Sequence, residues 1–155
     1  MIERLDAGDA AALALNNAHA VELSRLEFGR FAELVGRAFL ASRIGSVAFL
    51  LAFDQDADYD SPNFLWFRER LARFVYIDRI VVAPAARGRG HARRLYGDLF
   101  ERARRGGHDQ VVCEVNVAPP NPSSDAFHSA LGFHEVGAGA IHGGSKTVRY
   151  LRLDL

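Results

Sequence analysis

Residues 81–92 read V-V-A-P-A-A-R-G-R-G-H-A, and this stretch decides how the middle of the chain folds. The residues before it, 74–82, are mostly β-branched and aromatic, and they predict a strand that stops at Pro84. After the turn, apolar residues recur at helical spacing and predict a helix over roughly residues 90–105 with one buried face. The sequence therefore predicts a strand, a glycine-containing turn and a helix in immediate succession.

Gly88 and Gly90 keep this turn free of side chains at two positions. The first amides of the following helix lack intrahelical acceptors and carry the positive end of the helix dipole, so they can bind a phosphate group. A nucleoside-triphosphate loop needs Lys-Ser/Thr after the glycines, and a dinucleotide site needs a complete G-x-G-x-x-G; neither is present. On the glycines alone, a phosphate cradle and a plain tight turn with solvated arginines remain open.

The pattern V-x-P-x-x-R-G-x-G-x-A resembles the acetyl-CoA pyrophosphate motif of the GNAT family of N-acetyltransferases. Three residues occupy its diagnostic positions: Arg87, Gly90 and Ala92. Downstream, residues 121–133 are similar to the N-x-x-A-x-x-x-Y-x-x-x-G-F helix of that family. Two positions depart from it, because Ser124 stands at the alanine and His128 at the tyrosine.

The resemblance implies an α/β (α+β) domain with the GNAT fold over residues 1–155. We expect a mixed, mostly antiparallel central sheet of about six to seven strands, flanked by about four to five helices. A chain of 155 residues that is 49% hydrophobic fits one such domain.

Charge and cysteine content limit the partners and the compartment. Nineteen basic and 19 acidic residues cancel, so neither a nucleic acid nor a membrane is expected as a partner. Cys113 is the only cysteine, which excludes an intramolecular disulfide, and its place in an apolar strand predicts an inert core thiol. With no signal peptide and no membrane-length apolar run, we expect a cytoplasmic protein.

The remaining pattern predicts the other elements of the sheet and its helices. They are a short strand at 1–5, a helix capped by Asp9 that ends at Leu15 before Asn16-Asn17, a helix from about 25 to 40, a hairpin over 41–53, and strands over 111–117, 133–136 and 147–153, with a glycine-rich turn at 137–144.

An acidic segment follows the predicted hairpin, with aspartates at positions 54, 56, 58 and 60. It is not an EF-hand loop, because Tyr59 and Leu65 stand where that loop needs glycine and glutamate. One interpretation is a solvated loop in which Asp60 or Ser61 caps a short helix that begins at Pro62. In the other, Asp54, Asp56 and Asp58 attract a cationic amine toward the acceptor side of a cleft.

The resemblance also implies how acetyl-CoA would bind. The donor would lie between the fourth and fifth strands, with its pantetheine arm pairing to backbone groups at Ile80, Val81 and Val82. The pyrophosphate would lie on residues 87–92, and Asn121 and Ser124 would face the cofactor arm. The implied cofactor-binding residues are therefore Ile80, Val81, Val82, Arg87, Gly88, Arg89, Gly90, His91, Ala92, Asn121 and Ser124. No metal is expected.

An amine must be neutral to attack a thioester, so a base has to take its proton. Asp78 on the fourth strand is the first candidate base, although an ion pair with a neighbouring arginine would explain it equally well. Glu114 on the fifth strand is the second. His128 occupies the position of the tyrosine that commonly protonates the leaving sulfur in the family, and it can donate a proton near neutral pH.

The sequence thus predicts an acetyl-CoA-dependent N-acetyltransferase acting on a small-molecule or peptide amine. The missing tyrosine keeps a second hypothesis open, an acyl-CoA-binding sensor with weak or no catalysis. A nucleotide-binding regulatory domain is a third. Aromatic side chains exposed near Phe64 to Phe67 would favour a homodimer.

Overall fold

The computed structural model describes residues 1–19 and 25–155. Seven strands form one open sheet: β1 (Ile2–Arg4), β2 (Leu40–Ile44), β3 (Ala48–Asp54), β4 (Val75–Val82), β5 (Gln110–Ala118), β6 (His134–Ile141) and β7 (Lys146–Asp154). The helices in the described ranges are α1 (Ala10–Ala18), α2 (Phe28–Arg37), α3 (Pro62–Arg68), α4 (His91–Arg105) and α5 (Pro122–Leu131).

The strand order is β1-β2-β3-β4-β5-β7-β6, and every neighbouring pair except β4 and β5 is antiparallel. The predicted fold class, a mixed and mostly antiparallel sheet with flanking helices, is therefore confirmed. The single parallel pair stands in the middle of the sheet, and α4 makes the crossover between its two strands.

Two apolar cores cover the two faces of the sheet. On one face, side chains of α1, α2 and α3 pack with those of the sheet, including Phe31, Phe64 and Phe67. On the other face α4 contributes Leu95 and Leu99. Cys113 is 3% exposed in this second core, so the predicted core thiol is confirmed.

Helix α1 is longer than the sequence indicated. Asp9 caps it as predicted, accepting a hydrogen bond from the Ala12 amide at 3.0 Å. The predicted stop at Asn16-Asn17 is wrong, because the helix continues to Ala18. The Asn16 side chain is fully buried and accepts a hydrogen bond from Arg79, and Asn17 bonds to the Leu26 backbone. Long-range partners thus satisfy two residues that locally favour turns.

The predicted glycine-rich turn at 137–144 is also wrong over its first half, which belongs to strand β6. Two of its glycines allow aromatic side chains to pack closely against the backbone of β6. A Cβ at Gly137 would lie 2.4 Å from the Trp66 ring, and one at Gly139 would lie 3.1 Å from the Tyr150 hydroxyl. Trp66 stacks on Tyr150 with ring centroids 4.1 Å apart, so the glycines let α3 approach the sheet.

Helix α3 begins at Pro62 as predicted, but neither candidate cap acts through its side chain. Ser61 is the N-cap residue without a side-chain cap bond, and Asp60 lies 3.6 Å from an Arg30 nitrogen. Phe64 and Phe67 are fully buried. Trp66 is partly buried, so these side chains do not form the exposed aromatic surface that would have favoured a homodimer, and the homodimer stays a prediction.

Candidate active site

Strands β4 and β5 pair only at their first residues, Val75 with Val111 and Tyr76 with Val112. Beyond these pairs the two strands separate and open a cavity of about 150 Å³ in the middle of the sheet. Its walls include the predicted Ile80, Val81 and Val82, as well as Asn121, Ser124 and His128 from α5. The separated strands leave backbone groups facing the cavity, where an extended ligand can pair with them.

The turn between β4 and α4 has the geometry of an anion site. Gly88 and Gly90 both have φ of +78°, a left-handed conformation that favours glycine. Gly90 is the N-cap of α4 and supplies no capping side chain, so the first amides of the helix are open to an external acceptor. This turn borders a larger cavity of about 630 Å³.

Most predicted cofactor-binding residues line one of these two neighbouring cavities. Ile80, Val82 and Arg87 line both, whereas Gly88, Gly90, His91 and Ala92 line the larger one. Arg89 is exposed and lines neither, while Arg93 lines the larger one.

Asn121 and Ser124 belong to both the helix cap and the cleft. The Asn121 side chain accepts a hydrogen bond from the Ser124 amide at 3.3 Å and so caps α5. Both residues also line the two cavities. The two roles that the sequence left open for Asn121 are therefore geometrically compatible.

We call the cavity between β4 and β5 the donor cleft. Glu114 of β5 lies where this cleft meets a further cavity. The Tyr76 hydroxyl donates a 2.5 Å hydrogen bond to its Oε1 atom. Burial raises the pKa of the Glu114 carboxyl to about 8, and neighbouring Asp78 also raises it, while the Tyr76 hydrogen bond and Lys146 oppose the shift. A carboxyl with such a pKa can take a proton from an amine near neutral pH.

Asp78 sits at a bulge in β4, since Leu51 and Ala52 of β3 pair with Arg79 and Ile77 and leave Asp78 unpaired. Both of its oxygens are occupied. The Tyr59 hydroxyl donates to Oδ1 at 2.6 Å, and Arg79 Nε donates to Oδ2 at 2.7 Å. The ion pair with a neighbouring arginine, one of the two interpretations from the sequence, is present, and the side chains of both partners are 5% exposed.

His128 is 4% exposed and faces the donor cleft. Its Nδ1 lies 2.8 Å from the Ser124 carbonyl oxygen, which can only accept, so Nδ1 carries the proton. Nε2, 2.9 Å from the Tyr96 hydroxyl, then accepts from it. Burial lowers the pKa of the His128 imidazole, which favours this neutral form.

The further cavity, which we call the acceptor cavity, has a volume of about 270 Å³. It shares Asp78, Arg79 and Glu114 with the donor cleft and extends to α2, the segment before α3, and the start of β7. Of the four aspartates in the acidic segment, only Asp60 lines the acceptor cavity. Three of its carboxylates do not line the acceptor cavity: Asp54, Asp56 and Asp58. Asp58 instead lies 4.0 Å from Arg37, and Asp54 accepts a hydrogen bond from the Asp56 amide.

Sequence analysis missed three tyrosines of this site, and it left open whether the turn that ends at Lys146 borders the acceptor pocket or only closes a hairpin. Tyr76 and Tyr96 looked like ordinary core positions. The periodicity of a strand or helix predicts that such a side chain is buried, but it does not predict which group its hydroxyl contacts. Tyr59 lies in an irregular segment and Lys146 is the first residue of β7, and only the tertiary structure brings them to the cavities. The one available signal for Tyr59 was an aromatic residue inside an acidic loop.

Comparison with known proteins agrees with this geometry. The model of the acetyltransferase (GNAT) family matches residues 39–133, well over half of the chain. The protein therefore belongs to the GNAT family of acetyltransferases, and the resemblance seen in the sequence is confirmed.

Solved structures show that the whole chain has this fold. A ribosomal-protein-alanine N-acetyltransferase from Brucella melitensis is 22% identical with a TM-score of 0.72, covering 100% of this chain and 99% of that one. The putative acetyltransferase yncA from Salmonella typhimurium, solved with its cofactor acetyl-CoA, is 20% identical with a TM-score of 0.72 over 100% and 93%. An N-acetyltransferase from Staphylococcus aureus Mu50 is 17% identical with a TM-score of 0.71 over 99% and 97%.

No curated protein matches the chain significantly. Residues 1–19 and 25–155 include no helix with the length and apolar character needed to span a bilayer. Within the same residues, no three His, Cys, Asp or Glu side chains come together as a metal-binding group.

Proposed function

We propose that this protein is an acetyl-CoA-dependent N-acetyltransferase that transfers the acetyl group to a primary amine by direct attack on the thioester. One observation carries the proposal: Glu114, a carboxyl with a pKa of about 8, lies where the donor cleft meets the acceptor cavity. Membership of the GNAT family supports acetyl transfer, and the position of Glu114 supports an amine as the acceptor.

The donor side fits acetyl-CoA. The left-handed turn at Gly88 and Gly90, followed by the uncapped start of α4, offers amides to a pyrophosphate. No atom lies within 4 Å of a Cβ built at either glycine, so the turn is open to a ligand. Backbone groups of Ile80 and Val82 would hold the pantetheine arm, and Arg87 and Arg93, which line the larger cavity, would face the phosphates. When bound, the thioester supplies the acetyl group.

Glu114 takes the proton of the attacking amine in this proposal. Its Oε1 is held by the Tyr76 hydroxyl, which leaves Oε2 as the acceptor. Asp78 is less suited to this role because Tyr59 and Arg79 already donate to its two oxygens. We assign Asp78 the role of a positioning residue that fixes Tyr59 at the wall of the acceptor cavity.

Tyr96 and His128 form the hydrogen-bonded pair at the donor cleft. At rest, neutral His128 accepts a hydrogen bond from the Tyr96 hydroxyl, and the proton stays on that hydroxyl. Tyr96 is therefore the group of the pair that has a proton to donate near the cleft. We assign the hydroxyl a hydrogen bond to the departing thiolate: its single proton, held toward His128 Nε2 at rest, turns to the sulfur as the thiolate leaves. A thiol with a free pKa of about 8.5 leaves without full proton transfer.

The test is release of free thiol from acetyl-CoA in the presence of a panel of primary amines and N-terminal peptides. Wild type is run beside Gly90→Glu, which places a carboxylate in the phosphate turn, and Glu114→Gln. We expect amine-dependent release that both variants abolish or strongly reduce. Tight acetyl-CoA binding with no release for any amine would refute the transferase and support the acyl-CoA sensor.

A further inference from the structure

Besides His142 and two tyrosines, the acceptor cavity is lined by six side chains of arginine, lysine, aspartate and glutamate that bear on the choice of substrate. Three are cations and three are carboxyl groups: Arg30, Arg79, Lys146, Asp60, Asp78 and Glu114. Whether they cancel locally decides which charge on an acceptor is favoured there.

Two of the carboxylates already face an arginine of the same cavity. Asp78 pairs with Arg79 at 2.7 Å, and both side chains are nearly buried. Asp60 lies 3.6 Å from Arg30, whose other terminal nitrogen reaches Glu33 at 3.2 Å. Of the six side chains, Lys146 and Glu114 are then the two that are not part of these ion pairs.

Lys146 is the only lysine of the chain and the first residue of β7. Its side-chain ammonium group has no ion-pair or hydrogen-bond partner among residues 1–19 and 25–155. Glu114 does not cancel its charge at neutral pH, because burial raises the pKa of that carboxyl to about 8 and keeps it largely protonated. Among the cations that line the cavity, Lys146 is therefore the one whose charge is unmatched, which is the opposite of what the acidic segment had suggested.

The size of the cavity and its uncharged walls indicate a small ligand. Its volume of about 270 Å³ is at the lower end of the range for ligand pockets. Leu26, Leu34 and Ile141 give it apolar walls. A molecule with one amine, one anionic group and an apolar portion would match these features.

We propose that the acceptor is a small-molecule amine that also carries a carboxylate, and that Lys146 binds this carboxylate while the amine faces Glu114. The inference rests on the proposed transferase function and adds the class of substrate. A charge-assisted hydrogen bond in a partly desolvated cavity selects such an acceptor over its uncharged analogue.

The experiment compares matched acceptors that differ only at the carboxylate, leucine with leucinamide and phenylalanine with phenylalaninamide. Each is assayed with wild type, Lys146→Gln and Lys146→Arg. The amides have more acidic ammonium groups, so the measured quantity is the change in kcat/KM for each acceptor between enzymes. Arg105→Gln serves as a charge control, because Arg105 is an exposed residue near the end of α4 that lines none of these cavities.

We expect Lys146→Gln to lower kcat/KM for the amino acids by about tenfold or more and to change it less than about twofold for the amides. Lys146→Arg should retain most of the activity toward the carboxylates, and Arg105→Gln should behave as wild type. An equal loss for acids and amides would overturn the inference, since Lys146 would then act through Glu114.

Other outcomes separate this inference from the proposed function. Turnover of the amides, of a diamine such as putrescine, or of N-terminal peptides, without turnover of any amino acid, would refute the substrate class and leave the transferase intact. Acetyl-CoA binding without turnover of any amine would refute the transferase and, with it, the inference.

Discussion

At the scale of single residues, Glu114 makes the clearest prediction about pH. The group must be ionised to accept a proton, and burial raises its pKa to about 8, so activity should rise as pH increases toward 8 and level off above it. Glu114→Gln should lower kcat by about 10²- to 10⁴-fold and remove this pH dependence. The measurement is a kcat/KM profile with an acceptor whose amine pKa lies well below 8.

Glu101→Gln is the matched control for that experiment, because Glu101 is exposed on α4 and pairs with Arg105 one helical turn away. Its profile should match that of wild type. A wild-type profile that stays flat between pH 6 and 9 would remove Glu114 from the role of base.

A second residue-scale prediction concerns the pair of Tyr96 and His128. Tyr96→Phe removes the hydroxyl that donates to His128 Nε2 and leaves that buried nitrogen without a partner, so we expect a loss of about 1–3 kcal/mol in unfolding free energy. We also expect kcat to fall by about tenfold with little change in KM for acetyl-CoA. Urea unfolding and steady-state kinetics give the two values.

A double-mutant cycle shows whether His128 acts through Tyr96. If it does, His128→Gln should lower kcat in wild type and have little further effect in Tyr96→Phe. Additive losses would mean that His128 contacts the leaving group independently.

At the scale of elements, helix α4 offers two glycines with opposite expected effects. Gly90 has φ of +78° at the N-cap, so Gly90→Ala should destabilise the protein by about 1–2 kcal/mol. Gly97 is exposed within the same helix and has open space at its Cβ, so Gly97→Ala should stabilise by up to about 1 kcal/mol. Urea unfolding of the two variants tests both signs. A Gly90→Ala protein as stable as wild type would contradict the strain argument.

Local signals were enough to predict β4, the following turn and α4, because Pro84 and the two glycines act within a few residues of themselves. The same is true of Asp9 and Asn121, which cap the helices that follow them. These elements supply the donor side of the site, so that side could be predicted from the sequence.

The acceptor side could not be predicted, because it depends on partners that are distant in sequence. Asn16 favours a turn when taken alone, yet it is helical and buried since Arg79 reaches it. Gly137 looked like part of a turn because its actual partner, Trp66, lies on a separate helix. Cross-element contacts of this kind leave no periodic trace in the chain.

At the scale of the whole molecule, binding of acetyl-CoA should raise the free energy of unfolding. A ligand at 100 times its dissociation constant stabilises the folded state by about 2.7 kcal/mol. For a domain of this size that corresponds to a rise in Tm of about 5–10 °C. Thermal unfolding with and without acetyl-CoA measures it, and Gly90→Glu should show no such rise. Equal shifts in both proteins would place the donor elsewhere.

Arg79, which forms the ion pair with Asp78, also affects the order in which the parts of the site unfold. Arg79 hydrogen-bonds to Asn16 across 63 residues, and Tyr150 hydrogen-bonds to Asn63 across 87. In contrast, most residues that line the larger cavity beside the phosphate turn come from the contiguous stretch 80–93. Contacts that close long loops depend on the cooperative order of the entire chain. In low concentrations of urea, acetyl transfer should therefore be lost before acetyl-CoA binding, as α1 detaches while the turn between β4 and α4 is still folded.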